Sequence, residues 1–151
     1  MIGFIEPTEK HYKEDLRKLQ EEGIIIYRGS QKDVKPFVAR AHATIHPSTY
    51  GEGMSNVLLE SASSGRFLIT TNNPGCQETL EDGETGFIYP GGNVDALVDA
   101  IERFLAMSNT QRQQMGELGR ERVKNIFSRT IVVNAYKEKI KELLSLSLIH
   151  I

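Results

Sequence analysis

The chain has 151 residues, enough for one domain with a real core, and its 39% hydrophobic and 25% charged content is that of an ordinary globular protein. A formal net charge of −2, without aromatic–basic interleaving, gives no electrostatic footprint for nucleic acid. The single Cys76 excludes an internal disulfide, and His11, His42, His46 and His150 lack the cysteine pairs that zinc-ligand spacing requires.

Ile2 to Ile5 reads as a strand. Pro7-Thr8 opens a helix to about Glu22, with Tyr12, Leu16 and Leu19 on one face and Gly23 closing it. Ile24 to Tyr27 is a β-branched strand ended by Gly29. Asp33 is placed to cap a short helix carrying Val34, Phe37, Val38 and Ala41. Ala43 to His46 is the next strand, followed by a loop from Pro47 to Gly53. Ser55 to about Ser64 is a helix stopped by Gly65, and Phe67 to Thr70 is another apolar strand. Asn72-Asn73-Pro74-Gly75 is turn chemistry, Glu78 to Leu80 a short helix, and Asp82-Gly83 a second turn. Gly86 to Tyr89 is a short strand. Asn93 caps a helix with Val94, Leu97, Ala100, Ile101, Phe104 and Leu105 expected inward. Two more helices fill Thr110 to Phe127 and Ser128 to Leu144.

Strands separated by helices mean βα units and a parallel sheet, buried on both faces. The fold class expected is therefore α/β, a Rossmann-like parallel sheet flanked by helices, spanning residues 1–145. Residues 146–151, Leu-Ser-Leu-Ile-His-Ile, resemble the translated end of a transposon-derived sequencing adapter and are set outside the fold. No apolar run approaches the ~20 residues of a membrane span, and the N-terminus lacks signal-peptide order, so the expected location is cytoplasmic.

The stretch that carries chemistry runs from His46 to Glu60. It follows a strand and opens a helix, and open α/β sheets bind ligands at the carboxyl ends of their strands. A helix start offers unpaired N–H groups and partial positive charge. Gly53 lets a bulky anion approach the backbone, and Met54, Ser55 and Asn56 place their amides in that first turn. Together they would cradle a diphosphate. Glu52 precedes the helix and Glu60 lies within it, between Leu58, Leu59 and Ala62. A buried carboxylate there needs donors, and vicinal ribose hydroxyls would supply two. Taken singly, Glu60 reads better as an ion-paired structural residue and Glu52 as a solvated loop acid.

Taken together, Glu52 and Glu60 resemble the E-x7-E motif of the retaining glycosyltransferases of family 4. Pro47-Ser48, Glu52-Gly53-Met54-Ser55-Asn56, Leu58-Leu59-Glu60, Ser64-Gly65-Arg66, Pro74-Gly75-Cys76-Gln77-Glu78, Asp82-Gly83, Thr85-Gly86-Phe87, Pro90 and Gly91-Gly92-Asn93 fall in that family's order. The resemblance runs from about Ile2 to Leu144. It implies the C-terminal half of a GT-B fold, in which a nucleotide-sugar sits between two Rossmann-like domains. In this chain's numbers it implies that Glu60 holds the ribose, Glu52 contacts the donor sugar, and the backbone of Gly53 to Val57 meets sugar and diphosphate. Tyr27, Arg28 and Gly29 are candidates beside the base. The donor would be a UDP-sugar, with no metal and no other cofactor, and a hexosyl or N-acetylhexosaminyl group would pass to a polysaccharide or lipid-linked acceptor.

This sequence departs from the family at Ser61-Ala62-Ser63-Ser64-Gly65-Arg66-Phe67, where Glu-Ala-Met/Ala and a Pro after Gly-Arg are usual. The family's basic pair and its N-terminal acceptor domain are expected upstream of this chain, so the fragment alone should be inactive. A mild basic excess on the last two helices would suit peripheral contact with the inner membrane face, although a solvated helix face is the plainer reading. Two rivals differ in class: a non-catalytic nucleotide-sugar-binding module working with a separate acceptor-domain chain, and a GT-B-type nucleotide-sugar epimerase fragment.

Overall fold

The computed structural model describes residues 1–3, 5, 12–51 and 53–147, and the chain divides into two compact units, Met1–Phe37 and Val38–Ile151.

In the first unit, helix α1 (Tyr12–Glu21) ends where Gly23 turns left-handed at φ +73°. The amides of Ile24 and Ile25 then donate to the Leu19 carbonyl at 2.9 and 3.3 Å. The start of the expected helix, at Pro7-Thr8, lies outside the described residues. Among the described residues neither expected strand of this unit is regular, although their backbones do pair. The Met1 amine donates to the Ile26 carbonyl at 2.8 Å, and the Arg28 amide donates to the Met1 carbonyl at 3.0 Å. That sets Met1 opposite Tyr27 in a parallel ladder. The next rung slips: the Gly3 amide donates to the Gly29 carbonyl at 3.1 Å rather than to that of Arg28. Gly29 is left-handed at φ +65°, and the Arg28 carbonyl is taken by the Gln31 side chain. A competing side-chain donor and a left-handed residue thus break the ladder after one rung. Helix α2 (Lys35–Arg40) follows, with the Asp33 carboxylate accepting from the Lys35 amide at 3.0 Å, as expected of a cap.

The second unit is built on three parallel strands, β1 (Ala43–His46), β2 (Phe67–Thr71) and β3 (Gly86–Tyr89), in that order across the sheet. Ala43 pairs with Phe67 and Leu68 with Gly86. All five residues of the central β2 are buried. Its alternation serves two cores. Leu68 faces Leu58, Ala62, Cys76, Leu80 and Val123. Phe67 and Ile69 face Phe87, Tyr89, Ala100 and Phe104. Helices α3 (Asn56–Ser63) and α5 (Asn109–Ile126) therefore cover one face, and α4 (Val94–Ala106) covers the other. The expected α/β fold, a Rossmann-like parallel sheet flanked by helices, is what this unit shows.

Asn93 caps α4, its side chain accepting from the Ala96 amide at 3.0 Å. Ala100 and Phe104 are buried on α4, while Leu97 and Ile101 pack partly against them. Val94 and Leu105 were expected inward but are 71% and 62% exposed. Val94 sits at the open first turn, and Leu105 lies about 100° round from Phe104, beyond the buried stripe. The expected short helix at Glu78 to Leu80 is a single 3₁₀ turn over Gln77–Thr79. Helix α6 (Arg129–Ser147) closes the described chain, with Tyr136, Ile140 and Leu143 exposed.

α3 ends in a Schellman motif: the amides of Gly65 and Arg66 donate to the carbonyls of Ala62 and Ser61 at 2.8 and 3.1 Å. Helix α5 crosses this turn at Gly116, where a β-carbon would collide with the Gly65 carbonyl oxygen. At Gly119 the same β-carbon would meet the Thr85 side chain at 3.6 Å, an ordinary contact. Helix propensity alone favours alanine at both sites by about 1 kcal/mol. We therefore expect opposite signs. Gly116→Ala should destabilise by about 1–3 kcal/mol through overpacking against backbone, and Gly119→Ala should be neutral or stabilising, both read as shifts in the urea-unfolding midpoint. Equal midpoints for the two variants would contradict the close approach at Gly116.

Candidate functional site

Parallel pairing brings the carboxyl ends of β1, β2 and β3 to one edge of the sheet, and the loops leaving that edge are hydrogen-bonded to one another. The Asn73 side-chain amide donates to the Ser48 carbonyl at 2.7 Å, joining the loops after β2 and β1. The Gly91 amide donates to the Asn72 side chain at 3.0 Å, joining those after β3 and β2. The Ser55 amide donates to the Gly75 carbonyl at 2.9 Å, fixing where α3 begins. Gly75 is left-handed at φ +85°, and its own amide donates to the Glu78 carboxylate at 2.8 Å. Hydrogen bonds from the amide of Glu78 itself and from that of Gly75 hold the Glu78 carboxyl below its usual range.

Ser55 is the N-cap of α3, but its hydroxyl makes no capping bond. That hydroxyl is buried and has no partner. The N-cap amide is taken by Gly75, which leaves Asn56, Val57 and Leu58 as the first-turn amides without an intrahelical acceptor. The expectation that the Ser55 amide joins an anion cradle is corrected by this bond. The site of positive potential lies one residue further on, at Asn56, with Val57 beside it. Met54 is 36% exposed, and the space above Gly53 is open: a β-carbon there would meet nothing within 4 Å. Among the described residues, none beyond its chain neighbours crowds Gly53.

Glu60 is not surrounded by apolar groups. Helical periodicity turns Leu58, Ser61 and Ala62 to the sheet, while Glu60 is exposed one turn after the equally exposed Asn56. The argument that burial forces hydroxyl donors onto this carboxylate is overturned, since water solvates it when no ligand is bound. Its carboxylate has no partner among the described residues. Glu52, the other acid of the pair, lies outside the described residues.

Tyr27, Arg28 and Gly29 belong to the first unit. The Tyr27 hydroxyl donates to the Gly3 carbonyl at 2.9 Å and its amide to the Gln20 side chain at 3.0 Å. The phenol is therefore engaged within its own unit, and only its ring remains for stacking. Arg28 is exposed. His46, at the end of β1, accepts the Thr70 hydroxyl at its carbonyl, 3.0 Å away. Asp82 serves its turn, accepting the Ile88 amide at 2.8 Å. Among the described residues, no cluster of three His, Cys, Asp or Glu side chains is placed to hold a metal ion.

Sequence reasoning did not anticipate the parts played by Asn73, Gly75 and Glu78. The signal available was the run Asn73-Pro74-Gly75-Cys76-Gln77-Glu78, in which a carboxylate follows a turn glycine at three residues.

The family model for glycosyl transferases group 1 matches residues 1–122. The chain belongs to this family. The lipopolysaccharide core biosynthesis glycosyltransferase LpsE of Rhizobium meliloti (strain 1021) is 31% identical over 128 residues, which is 82% of this chain and 37% of that protein. A glycosyltransferase from Rickettsia africae ESF-5 superposes with a TM-score of 0.85 at 26% identity, over 95% of this chain and 39% of that one. HepE from Anabaena, solved in complex with UDP, superposes at 0.79 with 20% identity, over 95% of this chain and 39% of that one. The chain thus spans little more than a third of the length of the proteins it matches. In this glycosyl transferase group 1 chain the α/β fold is of the GT-B glycosyltransferase type. No helix among its described residues is long and apolar enough to cross a membrane.

Replacing a helix N-cap serine with alanine ordinarily costs ~1 kcal/mol. Here the hydroxyl is buried without a partner, and an unsatisfied buried hydroxyl is itself unfavourable by about 1–3 kcal/mol. Ser55→Ala should therefore leave the thermal midpoint unchanged or raise it. A clear drop would mean that the hydroxyl caps α3 after all.

Proposed function

We propose that this chain is the donor-binding part of a retaining, family 4 glycosyltransferase that takes a UDP-sugar. The intact enzyme would pass a hexosyl or N-acetylhexosaminyl group to a polysaccharide or lipid-linked acceptor. The observation that carries this reading is the exposed start of α3. Of the three amides without intrahelical acceptors, those of Asn56 and Val57 belong to exposed residues at the carboxyl edge of the sheet while Leu58 is buried, and the free carboxylate of Glu60 lies one turn along on the same exposed face. Amides and helix dipole suit the diphosphate. Glu60 suits the vicinal hydroxyls of a ribose, and Glu52 suits hydroxyls of the donor sugar. Gly53, Met54, Asn56 and Val57 would carry the sugar and diphosphate contacts. The chemistry asked of this half is binding and orientation, with the diphosphate leaving group partly stabilised by the amides and no metal or other cofactor required. The family membership, and the UDP complex of HepE, support the donor class.

Calorimetric titration of the 151-residue chain with UDP should show weak binding, and Glu60→Ala should weaken it by about 1–3 kcal/mol, the scale of hydrogen bonds to a charged group. Equal affinity for the variant would remove Glu60 from the ribose role.

Under the same reading acceptor binding is not the work of these 151 residues. We therefore expect the isolated 151-residue chain to give no sugar transfer from a UDP-sugar, assayed by UDP release with a panel of lipid and saccharide acceptors. Measured turnover would overturn the division of labour. A UDP-sugar converted to its epimer in that assay would instead favour an epimerase.

A further inference from the structure

Glu78 has no part in the donor-site reading above, yet its carboxylate is tied into the loop that shapes that site. The Gly75 amide donates to it at 2.8 Å, while the Gly75 carbonyl receives the Ser55 amide at 2.9 Å. Both bonds meet on one residue, and that residue is a glycine at φ +85°, the softest point of the loop. The Cys76 and Gln77 amides already close the turn around Gly75, donating to the Asn73 carbonyl at 3.0 and 3.1 Å, so the Glu78 bond refines the orientation of a glycine that is buried and partly held. Held on both sides, it presents its carbonyl in one direction. The backbone of Glu78 is itself anchored: Arg122 of α5 donates to its carbonyl at 3.2 Å and forms an ion pair with Glu81.

We infer that Glu78 is a positioning residue for the donor site, holding Gly75 so that its carbonyl takes the Ser55 amide and sets the start of α3. The inference rests on the donor-site reading and names a further residue on which that site depends. Glu78 is exposed, so water competes for its bonds and its share of global stability is small. Its effect falls on local geometry, which separates it from a residue that merely helps the chain fold.

The test uses the full 151-residue chain and its E78A and E78Q forms. UDP affinity is measured by calorimetry, and exchange of the Ser55 amide proton is followed by NMR. E78A should lose UDP affinity by about three- to tenfold, the scale of one lost intramolecular hydrogen bond, and should speed Ser55 exchange comparably. Its thermal midpoint should stay near that of the unmutated chain. E78Q keeps a side-chain oxygen to accept from Gly75 and should restore both readouts. Unchanged Ser55 exchange in E78A, or unchanged UDP affinity in E78A, overturns the inference and leaves the donor site standing. A fall in thermal midpoint without a change in affinity also overturns it, by reducing Glu78 to a structural part. If the unmutated chain itself fails to bind UDP, the donor-site reading falls first, whatever the variants do.

Discussion

The hydrogen bond from the Ser55 amide to the Gly75 carbonyl decides what the carboxyl edge of the sheet can offer. It consumes the N-cap amide of α3 and leaves the next three without intrahelical acceptors. It also joins the loop after β2 to the loop after β1, so the helix start cannot move independently of the central strand. The bond requires a left-handed residue at position 75, where glycine alone avoids a steric penalty.

The other end of α3 is fixed as firmly. Its Schellman turn at Gly65 lies under Gly116 of α5, and the Thr44 hydroxyl of β1 donates to the Ser61 hydroxyl at 3.0 Å. Arg66 donates to the Ala41 carbonyl at 3.1 Å, tying the residue after that turn to the approach to β1. A helix pinned at both ends and along its buried face presents its first turn as a rigid surface. Rigid amides cost little reorganisation when they meet a charge, which is the condition for strong electrostatic recognition.

Much of the second unit was legible because its signals are local. Short apolar runs marked β2 and β3, Asn93 marked a cap, and Gly65 marked a stop; each depends on residues within a turn or a strand of one another. The failures have a different origin. Ile24 to Tyr27 has strong β propensity, but the ladder fails because Gln31 competes for a carbonyl and Gly29 shifts the register. Glu60 looked buried because its neighbours in sequence are apolar, whereas a helical side chain is surrounded by residues three and four away. The bond from Ser55 to Gly75 spans twenty positions, and the clash that demands glycine at 116 involves a carbonyl some fifty residues earlier. Neither has a local signature. The acid pair was recognised as a pattern of spacing, and spacing carries no information about which side chains are exposed.

The exposure of Glu60 changes how the proposed site would work. A carboxylate sealed among leucines would demand its partners at all times and would strain the empty protein. An exposed one is stable in water and must shed that water when a ligand arrives. Its net gain is the difference between two sets of hydrogen bonds, about 1–3 kcal/mol rather than the full strength of the bonds it makes. What it supplies is discrimination: two acceptor oxygens at a fixed place on a rigid helix match two adjacent hydroxyls and offer nothing to a ligand lacking them. The amides at the start of the helix have no such selectivity, since any phosphate satisfies them. Under the proposed reading, anchoring and selection are therefore divided along a single helix, the diphosphate held at its first turn and the ribose recognised one turn later.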